Sequence, residues 1–510
     1  MSKNNLIKGT AILTIAGLLT RILGFFYRIF LSNYMDPDKI GIYQLIFPIY
    51  GICFTIFASG IQTSISTLVA SQSGEKKYKN IPRILRLGLF LSLSLSLFLS
   101  FFLYKYADLV AVKVLTEIEC APSLRILAYA FPFCGITACI NGYYYGLKKA
   151  SVPASTQLIE QIVRVLFVYI IAEIIGKGDI RVTTEIAVYG LVLGEIVSNL
   201  YNIASMFASK SSREVKTLIK NHPTSYTRKR TLTGHLLKMA APLTANRLLI
   251  SLLHSIESIL IPFLLKKNGL SNTEALSIYG ILNGMTLPFI MFPSAITNSL
   301  SVLLLPTISE AKSSNNEMTI KKTTALSIKY SLLIGILSIG IFMTFGNELG
   351  VAVFHNELAG ALLTTLSWLC PFLYVTTTLS SIINGLGLAH LTFFSSIAGL
   401  LTRIALIVWL IPVNGMKGFF ISMLIGQLVI TLLDGLVVAK HITPAFEATA
   451  TLLKPGLIIA ISSYILKNLY QTIPTSNQNI VIILFFCALL CLAYLTLLLL
   501  TKSISIKEFK

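Results

Sequence analysis

Charge is what this chain has least of. Asp, Glu, Lys and Arg make up only 12% of its 510 residues, about half of the roughly 25% usual in soluble domains. With 55% hydrophobic residues and a mean hydropathy of +0.78, it lacks the polar side chains needed to coat a soluble fold of this length. Acid is scarcer than base, 21 residues against 41, which leaves a net charge of +20. In a soluble protein that excess would suggest nucleic acid. Here the Lys and Arg residues gather in alternate loops, the positive-inside pattern of a membrane protein. The basic loops therefore face anionic lipid headgroups, and no nucleic-acid partner is expected.

Other absences narrow the function. Seven cysteines are present, but no C-x-x-C pair occurs. Cys53, Cys134, Cys139, Cys370, Cys487 and Cys491 sit in apolar runs, and only Cys120 is near a loop. The six histidines are scattered. Neither disulfides nor a metal site is expected, and no cofactor. Walker A, G-x-S-x-G and H-E-x-x-H patterns are missing, which points away from an enzyme and from nucleotide-driven pumping. Energy would come from a gradient, the membrane potential or a downhill substrate.

What is there is a succession of apolar stretches of spanning length, about 20 residues each. They do not alternate in polarity as barrel strands do. The spacing predicts an all-α membrane protein of about 14 transmembrane helices: 6–31, 40–70, 84–106, 121–146, 154–176, 184–209, 236–265, 273–306, 324–346, 359–386, 391–411, 417–440, 452–470 and 480–501. The first run carries Arg21 and Arg28 and lacks an A-x-A-like site, so it reads as a retained helix rather than a signal peptide. An even count puts both termini on one side. The richer set of basic loops makes that side cytoplasmic, in the plasma membrane.

Segment 210–235 is the largest basic cluster, with Lys210, Arg213, Lys216, Lys220, Arg228, Lys229 and Arg230 among Ser, Thr and Pro. It reads as a cytoplasmic linker between a six-helix lobe, 1–209, and a second, 236–445, followed by two additional helices in 446–510. The two lobes align. Tyr43 matches Tyr279 at an offset of 236, and Phe57-Ala58-Ser59 matches Phe292-Pro293-Ser294 at 235, after which Ser64 and Ser66 match Ser299 and Ser301. Pro132-Phe133, Arg164 and Glu195 match Pro371-Phe372, Arg403 and Asp434 at 239. Ile140-Asn141-Gly142 matches Ile383-Asn384-Gly385 only with a gap of about four residues. Six helices per repeat make it a parallel one, with two pseudo-symmetric bundles around a central cavity. The prolines of the second and eighth helices (Pro48; Pro288, Pro293, Pro306) mark either a moving, substrate-facing site or ordinary kinks.

A charge at the bilayer centre costs about 2.5–3.5 kcal/mol on insertion scales, so each needs a partner, water or a task. Arg21 and Arg28 lie two helical turns apart on one face. Arg247 sits at similar depth in the seventh helix. Guanidinium groups bind phosphate through paired hydrogen bonds, which suggests a pyrophosphate site; snorkelling to the interface is the alternative. Glu160 and Arg164 have i, i+4 spacing and read as an ion pair. Arg403 is the repeat mate of Arg164 but has Gly399 where the acid would be, so it must find another partner or face water; both arginines join Arg21, Arg28 and Arg247 as candidates for binding the substrate. Glu195, Asp434 and Glu257 are candidate carriers of Na+ or H+, as is Glu160, unless they neutralise the arginines.

Lys8-Gly9-Thr10, Arg21-Ile22-Leu23-Gly24-Phe25-Phe26-Tyr27-Arg28, Gly41-Ile42-Tyr43-Gln44-Leu45 and the 60–70 stretch resemble the stage V sporulation protein B family. So do Leu287-Pro288, Pro293-Ser294-Ala295-Ile296 and Leu304-Leu305-Pro306-Thr307-Ile308-Ser309. These motifs are also similar to those of lipid II flippases, within the polysaccharide-exporter branch of the multidrug/oligosaccharidyl-lipid/polysaccharide superfamily. The resemblance implies two six-helix bundles in a V plus two trailing helices. It also implies alternating access for an undecaprenyl-pyrophosphate-linked saccharide, for spore-cortex or cell-wall synthesis. Arg21 matches the first arginine of the flippase pattern, whereas Tyr27 stands at the second and Arg28 comes one residue late. An ion-coupled multidrug exporter and a non-transporting scaffold for wall-synthesis enzymes are the rival readings.

Overall fold

The computed structural model describes residues 3–175, 181–208, 217, 229–442, 449–473, 479–501 and 503–504. Most of the 210–235 segment lies outside them. Every described element is helical, as hydrocarbon demands of a backbone that must satisfy its own hydrogen bonds.

The helices of the first half are α1 (Lys3–Tyr34), α2 (Pro37–Gly74), α3 (Tyr78–Lys105), α4 (Cys120–Ala128 and Phe131–Gly146, bent by 47°), α5 (Ser151–Tyr169) and α6 (Thr184–Ala208). Then come α7 (Lys229–Lys267), α8 (Asn272–Met291 and Ser294–Ser313, bent by 59°), α9 (Glu317–Phe354) and α10 (Glu357–Gly385). The stretch Ala389–His441 is continuous in its hydrogen bonding for 53 residues. At 1.5 Å per residue that would be about 80 Å, far beyond a bilayer core of about 30 Å. Gly415, at φ 55° and ψ −131°, breaks it into α11 (389–414) and α12 (416–441). Only a residue without Cβ turns the chain there at little cost. Asn268 closes the turn by donating to the Pro412 carbonyl at 2.9 Å. α13 (Lys454–Gln471) and α14 (Ile480–Leu500) follow. Among the described residues, 11 helices are long and apolar enough to cross a membrane, or 13 if each bent pair is one span.

Helix starts show ordinary capping chemistry. Ser271 and Glu274 form a reciprocal capping box at α8, and Asn316, Asn356 and Asn479 cap α9, α10 and α14; each satisfies a backbone N–H that the helix itself cannot.

The chain falls into two compact units, Met1–Ile259 and Leu260–Lys510. Their division lies inside α7, later than the 210–235 segment where the sequence places the lobe boundary. The reason is local packing. Ala240, Thr244, Arg247, Ser251 and Ser255 form one stripe along α7 that runs against α2. A Cβ on Gly60 would come within 2.9 Å of the Ala240 carbonyl, and Gly51 faces the Ser251 hydroxyl. Ser255 donates to the Pro48 carbonyl at 3.1 Å. Small residues let these backbones approach where no hydrophobic effect operates.

Within each unit the same crossing recurs. In the first, α4 lays Gly142 on the Gln62 carbonyl and Gly146 on the Ser66 carbonyl and Val69 of α2. In the second, Ser381 of α10 donates to the Ser301 carbonyl of α8, and Gly385 lies on the Leu305 carbonyl and Ile308. All five pairs of positions differ by 239. The structure therefore corrects two alignments. Gly146, not Gly142, is the mate of Gly385, so no gap is needed. The register of 235 through Ser64 and Ser66 gives way to 239, because what the crossing fixes is a small residue over a bare carbonyl. A Cβ on Gly146 would lie 2.6 Å from the Ser66 carbonyl. Gly146→Leu is accordingly expected to cost on the order of 1–3 kcal/mol by overpacking. A lowered melting temperature in detergent would register it, with Gly435→Ala, at a site open on every side, as the unaffected control.

In the second unit α13 and α14 lie on α9. Gly340 admits Ile459, and the Tyr494 hydroxyl donates to the Leu333 carbonyl at 3.3 Å.

Candidate functional site

The first unit gathers its buried polar groups where α1, α2, α4, α5 and α6 meet. Arg164 Nη2 donates to Glu160 Oε1 at 2.5 Å, the two side chains being 17% and 25% exposed. The i, i+4 reading thus holds as geometry. Gly194 of α6 sits against the Glu160 carbonyl, which presses α6 onto this pair. One residue on, Glu195 is buried and accepts from the Tyr50 hydroxyl at 3.3 Å. That hydroxyl also lies 3.6 Å from Cys134 Sγ. Tyr50 escaped the sequence reading because its partner is 145 residues away; the only available signal was a tyrosine in the apolar part of a Pro-containing helix.

Arg28 is half-buried on α1 and within electrostatic range of Tyr43 and Arg164. Arg21, two turns earlier, is exposed and makes no hydrogen bond or ion pair among the described residues. Gly24, between them, faces Gln161 of α5. The two arginines therefore share one helix, Arg28 within electrostatic range of Arg164 and Arg21 exposed.

Arg247 is also exposed, and its Nη1 donates to both the carbonyl and the hydroxyl of Ser59, each at 2.7 Å. Ser59 ends a π-helical turn in α2, Thr55–Ser59, a device that often marks functional positions. Further along α7, Glu257 is buried, 3.7 Å from His254 Nδ1.

In the second unit Asp434 is 1% exposed. Its Oδ2 accepts from Ser380 at 2.9 Å, while its Oδ1 has no hydrogen-bond partner among the described residues. It ends a polar ladder between α10 and α12. Gln427 donates to Thr376 at 2.9 Å, and Thr376 and Thr431 share a hydrogen bond of 2.8 Å. Thr376 is the repeat mate of Thr137, which accepts from Asn199 of α6 at 3.2 Å. Arg403 is buried between α11 and α12, its side chain folded across Gly426, where a Cβ would stand 2.7 Å from its own. Of the two outcomes open to an arginine without an acid at Gly399, another partner or water, its burial favours the first. Gly399 serves instead as a contact point for Ile430 and the Gly426 carbonyl.

One intramembrane ion pair was not anticipated. Lys467 of α13 meets Glu348 of α9 at 2.5 Å and lies over the Phe345 ring at 5.5 Å. No group of three or more His, Cys, Asp or Glu residues able to hold a metal occurs among the described residues.

Residues 6–312 match the family described as "Polysaccharide biosynthesis protein". Stage V sporulation protein B of Bacillus subtilis (strain 168) is 26% identical over 100% of this chain and 98% of its own length. The inward closed conformation of the lipid II flippase MurJ superposes with a TM-score of 0.69 at 16% identity, over 96% of this chain and 98% of that one. The inward-facing conformation of a multidrug resistance MATE family transporter gives a TM-score of 0.67 at 16% identity, over 83% and 94%.

Proposed function

This chain belongs to the polysaccharide biosynthesis protein family, and on that premise we propose that it is a flippase for an undecaprenyl-pyrophosphate-linked saccharide, a peptidoglycan precursor or polysaccharide unit. It is a multi-pass plasma membrane protein and a transporter rather than an enzyme. The bent pairs and the break at Gly415 bring the count to fourteen spans, arranged as two six-helix lobes and two further helices, with both termini cytoplasmic. α7 belongs to the second lobe by repeat but lies along the first. Transport proceeds by alternating access to the two sides of the membrane, and the diphosphate binds to arginines.

The observation that carries the reading is the α1 stripe. Arg21 is exposed and unpartnered among the described residues, and Arg28 lies within electrostatic range of Arg164. Arg21 contacts the diphosphate, with Arg28 and Arg247 beside it. Arg164 and Arg403 are further candidates for that contact. Mass spectrometry of lipids released from the purified protein tests the substrate class. A co-purifying undecaprenyl-linked saccharide is expected, and its absence from wild type alongside other retained lipids counts against the proposal. The setting of this reading is spore-cortex or cell-wall synthesis, with wall-synthesis enzymes as partners, and the likeness to stage V sporulation protein B supports it.

Ion coupling is a second element of the mechanism, favoured by one observation: Asp434 Oδ1 is buried without a hydrogen-bond partner among the described residues. A bound H+ or Na+ satisfies it, with Glu195, Glu160 and Glu257 as further carriers. Asp434→Asn is expected to abolish the dependence of transport on an imposed ion gradient. Gradient dependence that survives the substitution removes Asp434 from coupling.

A further inference from the structure

We propose that the groove between α11 and α12 is a binding site for an anionic phospholipid, distinct from the transported substrate. A cavity of about 610 Å³ lies on the flank of these two helices, wholly within the second unit. Its walls are two helical stripes. Phe394, Ala398 and Leu401 follow one another at helical spacing on α11, and Leu433 and Leu436 do so on α12. Such stripes place side chains on one face of each helix. Ser395 also lines the cavity, but its hydroxyl is spent on the Leu391 carbonyl at 3.0 Å. The walls thus offer hydrocarbon and little else.

One end is different. Lys440 and His441 close the groove at the last turn of α12. Lys440 is exposed and has no hydrogen bond or ion pair among the described residues. His441 uses Nδ1 on the Val437 carbonyl at 2.9 Å, which turns Nε2 outward. His390, immediately before the first lining residue, is exposed as well. Lys312 donates to the Leu386 carbonyl in the turn leading into α11, at 2.5 Å, and adds a further positive charge nearby. Among the described residues no acid lines the cavity. Asp434, the acid within these two helices, is buried and occupied with Ser380. Helix counting puts this end on the same side as the basic 210–235 segment, where anionic headgroups attract cations.

Apolar walls ending in the Lys440 ammonium, with that of Lys312 nearby, match one ligand shape: an acyl chain carrying a negative headgroup. The volume fits as well. At about 30 Å³ for a water-sized group, the cavity holds roughly 20 such groups, which suits an acyl tail and falls far short of an undecaprenyl chain. The occupant is therefore a phospholipid of the phosphatidylglycerol type, drawn from the leaflet on the basic side.

Native mass spectrometry of the full-length protein, in an equimolar mixture of phosphatidylglycerol and phosphatidylethanolamine with identical acyl chains, tests this. Wild type is expected to retain phosphatidylglycerol at least fivefold over phosphatidylethanolamine. The Lys440→Gln/His441→Gln variant changes exposed residues only and is expected to lose that preference. Ala398→Phe, which fills the groove, is expected to lose one equivalent of bound lipid, with its melting temperature recorded to confirm folding. A preference unchanged in the double variant would overturn the proposal, as would undiminished lipid retention in folded Ala398→Phe. Displacement of the bound phosphatidylglycerol by undecaprenyl phosphate would overturn it too, since the groove would then belong to the substrate.

Discussion

Arg21→Ala is expected to slow transport of an undecaprenyl-pyrophosphate-linked saccharide in reconstituted vesicles by roughly 10- to 100-fold. A hydrogen bond to a charged group contributes about 1.5–3 kcal/mol, and each 1.4 kcal/mol is a factor of ten. The upper part of that range applies in a cavity, where competition from bulk water is reduced. Arg21 has no partner among the described residues, so its removal strands no other charge and leaves the fold intact. Arg21→Lys keeps the charge but not the planar fork, and should recover part of the rate. Equal rates for wild type and Arg21→Ala at matched incorporation would remove this residue from the mechanism.

The second large effect is on folding. Glu160→Ala leaves Arg164 as a cation in a low-dielectric interior without its 2.5 Å partner. Breaking a buried pair from one side costs about 3–5 kcal/mol. The 17% and 25% exposure of the two side chains puts the expectation at the lower end. Yield and melting temperature should fall together. The double variant Glu160→Ala/Arg164→Leu removes both charges and should regain most of the loss, because an apolar replacement of a buried pair is often neutral or better. Transport by the folded double variant then separates two roles. Near-normal rates mean that the pair serves the architecture, and loss of transport with full stability means that the pair acts on the substrate or the ion. A double variant no more stable than Glu160→Ala would contradict the ion-pair account.

The spans were legible because in lipid the apolar run is itself the fold signal. The third and sixth helices, placed at 84–106 and 184–209, run Tyr78–Lys105 and Thr184–Ala208. Where the run ends in an amphipathic turn, the reading stops short. α9, placed at 324–346, extends over Glu317–Phe354, because Lys321, Lys322 and Glu348 lie on helical turns beyond the apolar centre. The Glu160–Arg164 contact was readable because it is made within one helix. Tyr50 with Glu195, Arg247 with Ser59 and Lys467 with Glu348 were not, since each depends on which helix lies beside which. Arg403 shows the same limit. Gly399 was read as a lost acid, whereas its use is to let α12 approach, and that becomes visible only with Ile430 and Gly426 in place.

The constant register carries a record of how the two halves diverged. From Gln62 and Ser301 through to Glu195 and Asp434 the numbering differs by 239 throughout, whereas Tyr43 and Tyr279 differ by 236. Three residues were therefore gained or lost within a single stretch. In the first half that stretch contains the π-helical turn Thr55–Ser59; in the second it contains another, Ile281–Thr286, and the break before Ser294. A wider turn absorbs a surplus residue without sliding the helix beyond it. Length has drifted only where the backbone could swallow the change. Elsewhere, a single insertion would have lifted a glycine off its carbonyl and been purged.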